Sequence, residues 1–282
     1  MVYQIKIGGQ LTMNDEPSPI MGLHHITLVT GNQEVNRRFY TEMLGLRRVK
    51  LSVNQDDPYH RHLFYADEDA KGTAITFFEW PDLPRGLVGL GSPHHLSYDV
   101  PSLDALSRWK GWFSYNNIPT EGPFARDGRV SLYLRDPDGV ILELAADDKE
   151  AVGDDYLRES GTQMVRQLSP DMKLVNFNHA SPVTRDPDTI SKFLAKALGL
   201  TRSYLRPNPD EPDAAILGTG NQTHPDFLRY LSRANAAPGY VGIGNIHHIA
   251  MAVATDEEQL RVLKTLERAG IKNSGVIDRF WF

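Results

Sequence analysis

The chain has 282 residues, enough for one large domain or two of ordinary size. Its formal charge is −6, with acids and bases interspersed and no basic stripe, which argues against a nucleic-acid partner. There is no cysteine, so disulfides, thiolate metal sites and a cysteine nucleophile are excluded, and no apolar run reaches the roughly 18 residues of a membrane span.

Residues 1–21 lack the apolar core of a signal peptide, and Asn14 to Pro19 reads as a mobile leader; a cytoplasmic protein is expected. Leu23 to Thr30 alternates as a strand and carries His24-His25. Arg37 to Leu46 has helical spacing, with Gly45 where the helix would stop. Ala74 to Trp80 reads as a closing strand. Pro93 to Val100 is a second His-His strand, followed by a helix over 102–117 on which Trp109, Trp112 and Phe113 mark a buried face. Val130 to Leu134 and Val140 to Leu144 flank Asp136-Pro137-Asp138-Gly139, a strong turn. A charged stretch, 147–173, reads as a connection.

The strand Phe177 to Thr184 follows, with Pro182 suggesting an edge or a bulge. Next come a helix over Ser191 to Leu200 with Gly199 as its stop, a strand at Ile246 to Val253, and a helix over 256–270. Asp278 to Phe282 corresponds to the start of one more strand, so the chain is expected to lack a final hairpin.

These elements repeat. His25, His95, His179 and His248 occupy matching strand positions at spacings of 70, 84 and 69. The pattern predicts an α+β fold of four βαβββ modules, the fourth incomplete: a first pair over 22–146, a connection over 147–173 and a second pair over 174–282. Neighbouring side chains on a strand face opposite ways, so one histidine of each pair can face inward. His25 shares its face with Thr27 and Val29.

The histidine strands, with Val53-Asn54-Gln55-Asp56-Asp57-Pro58, His62-Leu63-Phe64-Tyr65, Phe77-Phe78-Glu79 and Ser274 to Phe280, resemble the glyoxalase, bleomycin-resistance and extradiol-dioxygenase superfamily. Within it they are most similar to bacterial ring-cleaving dioxygenases acting on hydroquinones. The resemblance implies paired open β-barrels of the vicinal oxygen chelate fold. It also implies an Fe(II) or Mn(II) centre held by His25, His248 and a glutamate beyond residue 282, with Thr27, His247 and Arg279 near the metal. The implied partners are a dihydroxylated aromatic and dioxygen, with a homodimer as the assembly to expect.

The residues leave other sets open, because ligands depend on which modules pair. Modules two and three would assemble His95, Glu143 and His179, again two histidines and a carboxylate. Modules one and two would assemble His25, Glu79, His95 and Glu143, with His-to-Glu spacings of 54 and 48. That set resembles glyoxalase I and would suit nickel, zinc or manganese in an isomerase or lyase. A metal-free binding protein of the bleomycin-resistance type is the third reading. His60 and His62 can share a face, with His62 toward a cavity.

Overall fold

A computed structural model describes residues 18–54, 57–67, 74–126, 128–148, 152–153, 156, 159–205 and 217–278. Arg279 lies outside the described residues. Strand β1 (Ile20–Thr30) begins inside the stretch read as a leader. It leads to helix α1 (Gln33–Arg38), capped by the Asn32 side chain on the amides of Glu34 and Val35, and a π-turn over Phe39–Met43. Strands β2 (Arg47–Asn54), β3 (Asp57–Ala66) and β4 (Ala74–Glu79) complete the first module. The second is β5 (Pro93–Asp99), α2 (Leu103–Tyr115), β6 (Thr120–Arg126), β7 (Arg129–Arg135) and β8 (Ile141–Asp147). The third is β9 (Phe177–Thr184), α3 (Pro187–Leu198), β10 (Thr201–Tyr204), β11 (Leu217–Gly220) and β12 (Leu228–Ser232). The fourth shows β13 (Ile246–Val253) and α4 (Asp256–Arg268).

Helix ends follow local chemistry. Ser102, Asp186 and Thr255 cap α2, α3 and α4 by accepting from the amide three residues on. Gly45 and Gly199, predicted as stops, adopt φ of 72° and 65°, where a β-carbon would clash. The Asp136 turn forms as expected: its Oδ1 accepts from the amides of Asp138 (3.0 Å) and Val140 (2.8 Å).

Two open sheets result, ordered β13-β1-β4-β3-β2 and β10-β11-β12-β9-β5-β8-β7-β6. Module one thus joins module four through β1 and β13, and module two joins module three through β5 and β9, both antiparallel. Modules one and two, grouped as a first pair from the sequence, therefore lie in different sheets, and so do modules three and four, because the seams run from one to four and from two to three. Bridges between residues 85–90 and 238–243 tie the two connecting segments together. One hydrophobic core spans both sheets and the helices, from Ile26 and Leu28 through Leu96, Trp109 and Phe113 to Phe177 and Leu228.

Of the edge or bulge expected at Pro182, the structure shows the irregular ladder and not the edge. Pro182 lies in the interior strand β9, opposite Pro93 of β5, with a register shift in β5 between Pro93 and His95. Neither proline has an amide hydrogen to give, so the two missing donors coincide at one irregular point of the ladder.

Candidate metal centres at the module seams

The two seams have the same register. Thr27 pairs with His248 and His25 with Ala250; Ser97 pairs with His179 and His95 with Ser181. The two histidines of each seam are diagonal neighbours, and diagonal neighbours on one face are within reach of long side chains. The Nε2 atoms of His25 and His248 are 3.3 Å apart, and those of His95 and His179 are also 3.3 Å apart.

The module-four seam is aromatic. Side chains facing each other across a ladder share a face, which places His62, Phe64, Thr76 and Phe78 on the same surface as His25, Thr27 and His248. The His62 ring packs on Phe64 (4.0 Å between centroids) and Phe78 (4.5 Å). Phe78 in turn meets Trp80 (4.9 Å) and His247 (5.1 Å). Lys50 Nζ lies 5.1 Å from the Phe64 centroid. A chain of polar groups, His62 Nε2 to Thr76 Oγ1 (2.9 Å) and Thr76 Oγ1 to Thr27 Oγ1 (2.7 Å), runs beneath. Burial, with like charge from His248, His24 and His62, pushes the His25 pKa down to about 3. At neutral pH it is therefore an uncharged ring, the form in which imidazole ligates metals.

The module-three seam is closed. His95, His179 and Glu143 are buried, and among the described residues they alone form a three-donor group of metal-binding size. Glu143 Oε2 lies 3.3 Å from His95 Nε2 and 3.1 Å from His179 Nε2, while Oε1 accepts from Ser131 Oγ at 2.6 Å. Ser181 Oγ is 3.0 Å from His95 Nε2. Burial pushes the His179 pKa well down, against the opposing pull of Glu143. A cavity of about 260 Å³ borders His95, lined by His94, Tyr133, Arg135 and Ile141 among others.

The set His25, Glu79, His95 and Glu143 is not brought together, because β1 and β5 belong to different sheets. Glu79 is also out of register. Ser97 faces Glu143 in module two, and the matching partner of Thr27 in module one is Thr76. Glu79 instead accepts from the Gln33 amide (3.2 Å) at the start of α1 and faces Arg61 (3.7 Å). His60 turns to Asp57 (2.6 Å), whose carboxylate also accepts from the Trp80 indole (2.9 Å). In module three, the ladder from Leu228–Ala180 to Leu231–Val183 puts Arg229 level with Ser181. A buried arginine thus stands where module two has Glu143, held by Asp226 at 2.8 and 2.6 Å.

Sequence reasoning passed over Arg229, Ser131 and Asn178. Only Arg229 carried a signal, as a lone charge inside Leu228-Arg229-Tyr230-Leu231.

The sequence profile of the glyoxalase/bleomycin resistance protein/dioxygenase superfamily matches residues 22–144. The chain is 32% identical over 270 residues to "Putative ring-cleaving dioxygenase MhqA" of Bacillus subtilis (strain 168), covering 93% of this chain and 82% of that protein. It is 24% identical over 261 residues to the chlorohydroquinone/hydroquinone 1,2-dioxygenase of Sphingobium indicum, covering 90% of this chain and 77% of that one. A crystal structure described as a "putative dioxygenase" from Bacillus subtilis superposes with a TM-score of 0.77 at 30% identity, covering 93% of this chain and 80% of that chain.

Proposed function

The chain belongs to the glyoxalase/bleomycin resistance protein/dioxygenase superfamily, and from that premise we propose that it is a metal-dependent dioxygenase opening a dihydroxylated aromatic ring, such as a hydroquinone or a catechol. The observation that carries the reading is the aromatic-walled histidine pair at the seam of modules one and four. The names of the relatives support the same reaction class.

The donor set suits the metal. Two imidazoles, that of His25 uncharged at neutral pH, aim Nε2 at one point, a fit for Fe(II) or Mn(II). Arg279 lies outside the described residues, and the carboxylate that the resemblance implies is the glutamate expected beyond residue 282. A bound ion would supply the positions at which a ring hydroxyl and dioxygen meet, and the redox chemistry between them.

The protein's own groups do the rest. Phe64, Phe78 and Trp80 offer flat apolar faces on which an aromatic ring stacks, gaining roughly 0.5–1.5 kcal/mol per pair beyond burial. They also hold the ring close to His25 and His248, so that encounter becomes positioning. His247 stands exposed at the rim, its Nδ1 turned to His248 Nδ1 at 2.8 Å. With His248 ligating through Nε2, its Nδ1–H donates to His247 Nδ1, so His247 Nε2 carries a proton and can donate a hydrogen bond to a substrate oxygen. The Thr27–Thr76–His62 chain fixes the floor of the site and relays a proton between buried and exposed groups.

Oxygen uptake by metal-loaded, anaerobically purified protein tests this reading against a panel of hydroquinones and catechols. One dioxygen consumed per ring opened is expected, with at least about a hundred-fold loss in His25→Ala and His248→Ala. Absence of uptake across the panel, with turnover of a hemithioacetal instead, would sink it.

A further inference from the structure

We propose that the seam of modules two and three holds a second divalent metal ion of the first transition row, bound by His95, Glu143 and His179 and serving to clamp β5 to β9. The two seams are chemically different. Where module one has His62 and Phe78 facing each other, module two has Ser131 and Ala145, and the three donors are buried at 3%, 0% and 1% exposure. The second seam therefore has no counterpart of the His62–Phe78 pair, and its three donors are closed off from solvent.

The argument rests on which atoms carry protons. Asp99 accepts from Arg129 Nη1 (2.5 Å) and from Asn178 Nδ2 (2.7 Å). That fixes the Asn178 amide with its oxygen toward His179, 2.6 Å from Nδ1. An amide oxygen only accepts, so the His179 proton sits on Nδ1 and Nε2 presents a lone pair. That lone pair faces Glu143 Oε2 at 3.1 Å and His95 Nε2 at 3.3 Å. Glu143 is locked in turn, because Ser131 donates to Oε1 and leaves Oε2 toward the histidines. His95 Nδ1 faces His94 Nδ1 at 2.9 Å, and a proton donated there leaves the His95 Nε2 lone pair toward Glu143, His179 and Ser181.

Three electron-rich atoms thus converge without enough protons to separate them, and a cation resolves the conflict. The spacing agrees. Ligands about 2.0–2.2 Å from a metal lie roughly 3.0–3.4 Å from one another in octahedral or tetrahedral arrangements. The three donor separations here are 3.1, 3.3 and 3.3 Å. Histidine orientation by an outer polar partner is what metal-binding histidines require. Arg229, at the position where a fourth ligand would come from module three, limits the protein to three donors. Ser181 Oγ and the cavity beside His95 leave room for water to complete the shell.

The test separates this site from the ring-cleaving one. The His25→Ala/His248→Ala double variant of the full-length protein is stripped with chelator, then loaded with Mn(II), Co(II) or Zn(II) one at a time. Metal content and melting temperature are read. One tightly held ion per chain is expected, with a melting temperature several degrees above the stripped form. Adding Glu143→Gln should remove the ion and the shift together; if that variant does not fold, Asn178→Leu, which frees the His179 ring, should weaken binding roughly 10–100-fold. A double variant that binds no ion overturns the proposal. So does an ion that persists unchanged through Glu143→Gln or Asn178→Leu. Neither result depends on whether wild type opens aromatic rings.

Discussion

Asp136 has two tasks that pull its carboxyl in opposite directions. It pins the β7–β8 turn by accepting backbone amides and the Tyr40 hydroxyl (3.1 Å), yet it is buried. Burial wins and raises its pKa from 3.8 to about 7. A folded-state pKa above the unfolded one means that the folded chain holds the extra proton. Its stabilisation is complete below about pH 3.8 and is lost as pH rises through about 7. The stability difference between wild type and Asp136→Asn should therefore fall across that window, by at most about 1.4 kcal/mol per pH unit. Urea midpoints that run parallel with pH in the two proteins would refute this. Residue types alone exposed the histidines, but not their proton placement. That depends on Asn178 and Asp99, which come from different modules.

Elements were the most legible level. The helices predicted over 102–117 and 256–270 are observed at Leu103–Tyr115 and Asp256–Arg268, because periodicity and capping residues act within a few positions of each other. The buried face of α2 is likewise as expected, with Trp109 and Phe113 fully buried and stacked 5.4 Å apart. Trp109→Ala should cost about 3–5 kcal/mol in chemical denaturation. The Trp109 indole nitrogen has no hydrogen-bond partner among the described residues, so Trp109→Phe should cost under about 1.5 kcal/mol. Equal losses in the two variants would show that ring volume is not what matters there. Register was the illegible part of each element. Glu79 looked equivalent to Glu143, but only the pairing of Thr27 with Thr76 shows the matching position, three residues earlier.

At the scale of the molecule, the repeat was readable and the pairing was not. A strand's alternation states which face is buried and says nothing of which strand lies beside it. Modules two and three pair across one long connection, whereas modules one and four pair across the whole of both others. Loop closure favours the nearer pairing. Pulsed hydrogen exchange during refolding should therefore protect amides of β5 and β9 before those of β1 and β13. Simultaneous protection of both seams would rule that order out.

The arrangement is nested like a pair of brackets inside another pair. On the ribosome, β1 ends at Thr30 and its partner begins at Ile246. At roughly 5–20 residues per second, the first strand waits some ten to forty seconds for that partner to emerge. During this interval one edge of β1, with His25 among its residues, has no mate. The inner brackets close first, and the outer histidine pair is assembled later, once β13 has emerged. A nascent chain would therefore complete its buried seam well before the aromatic one.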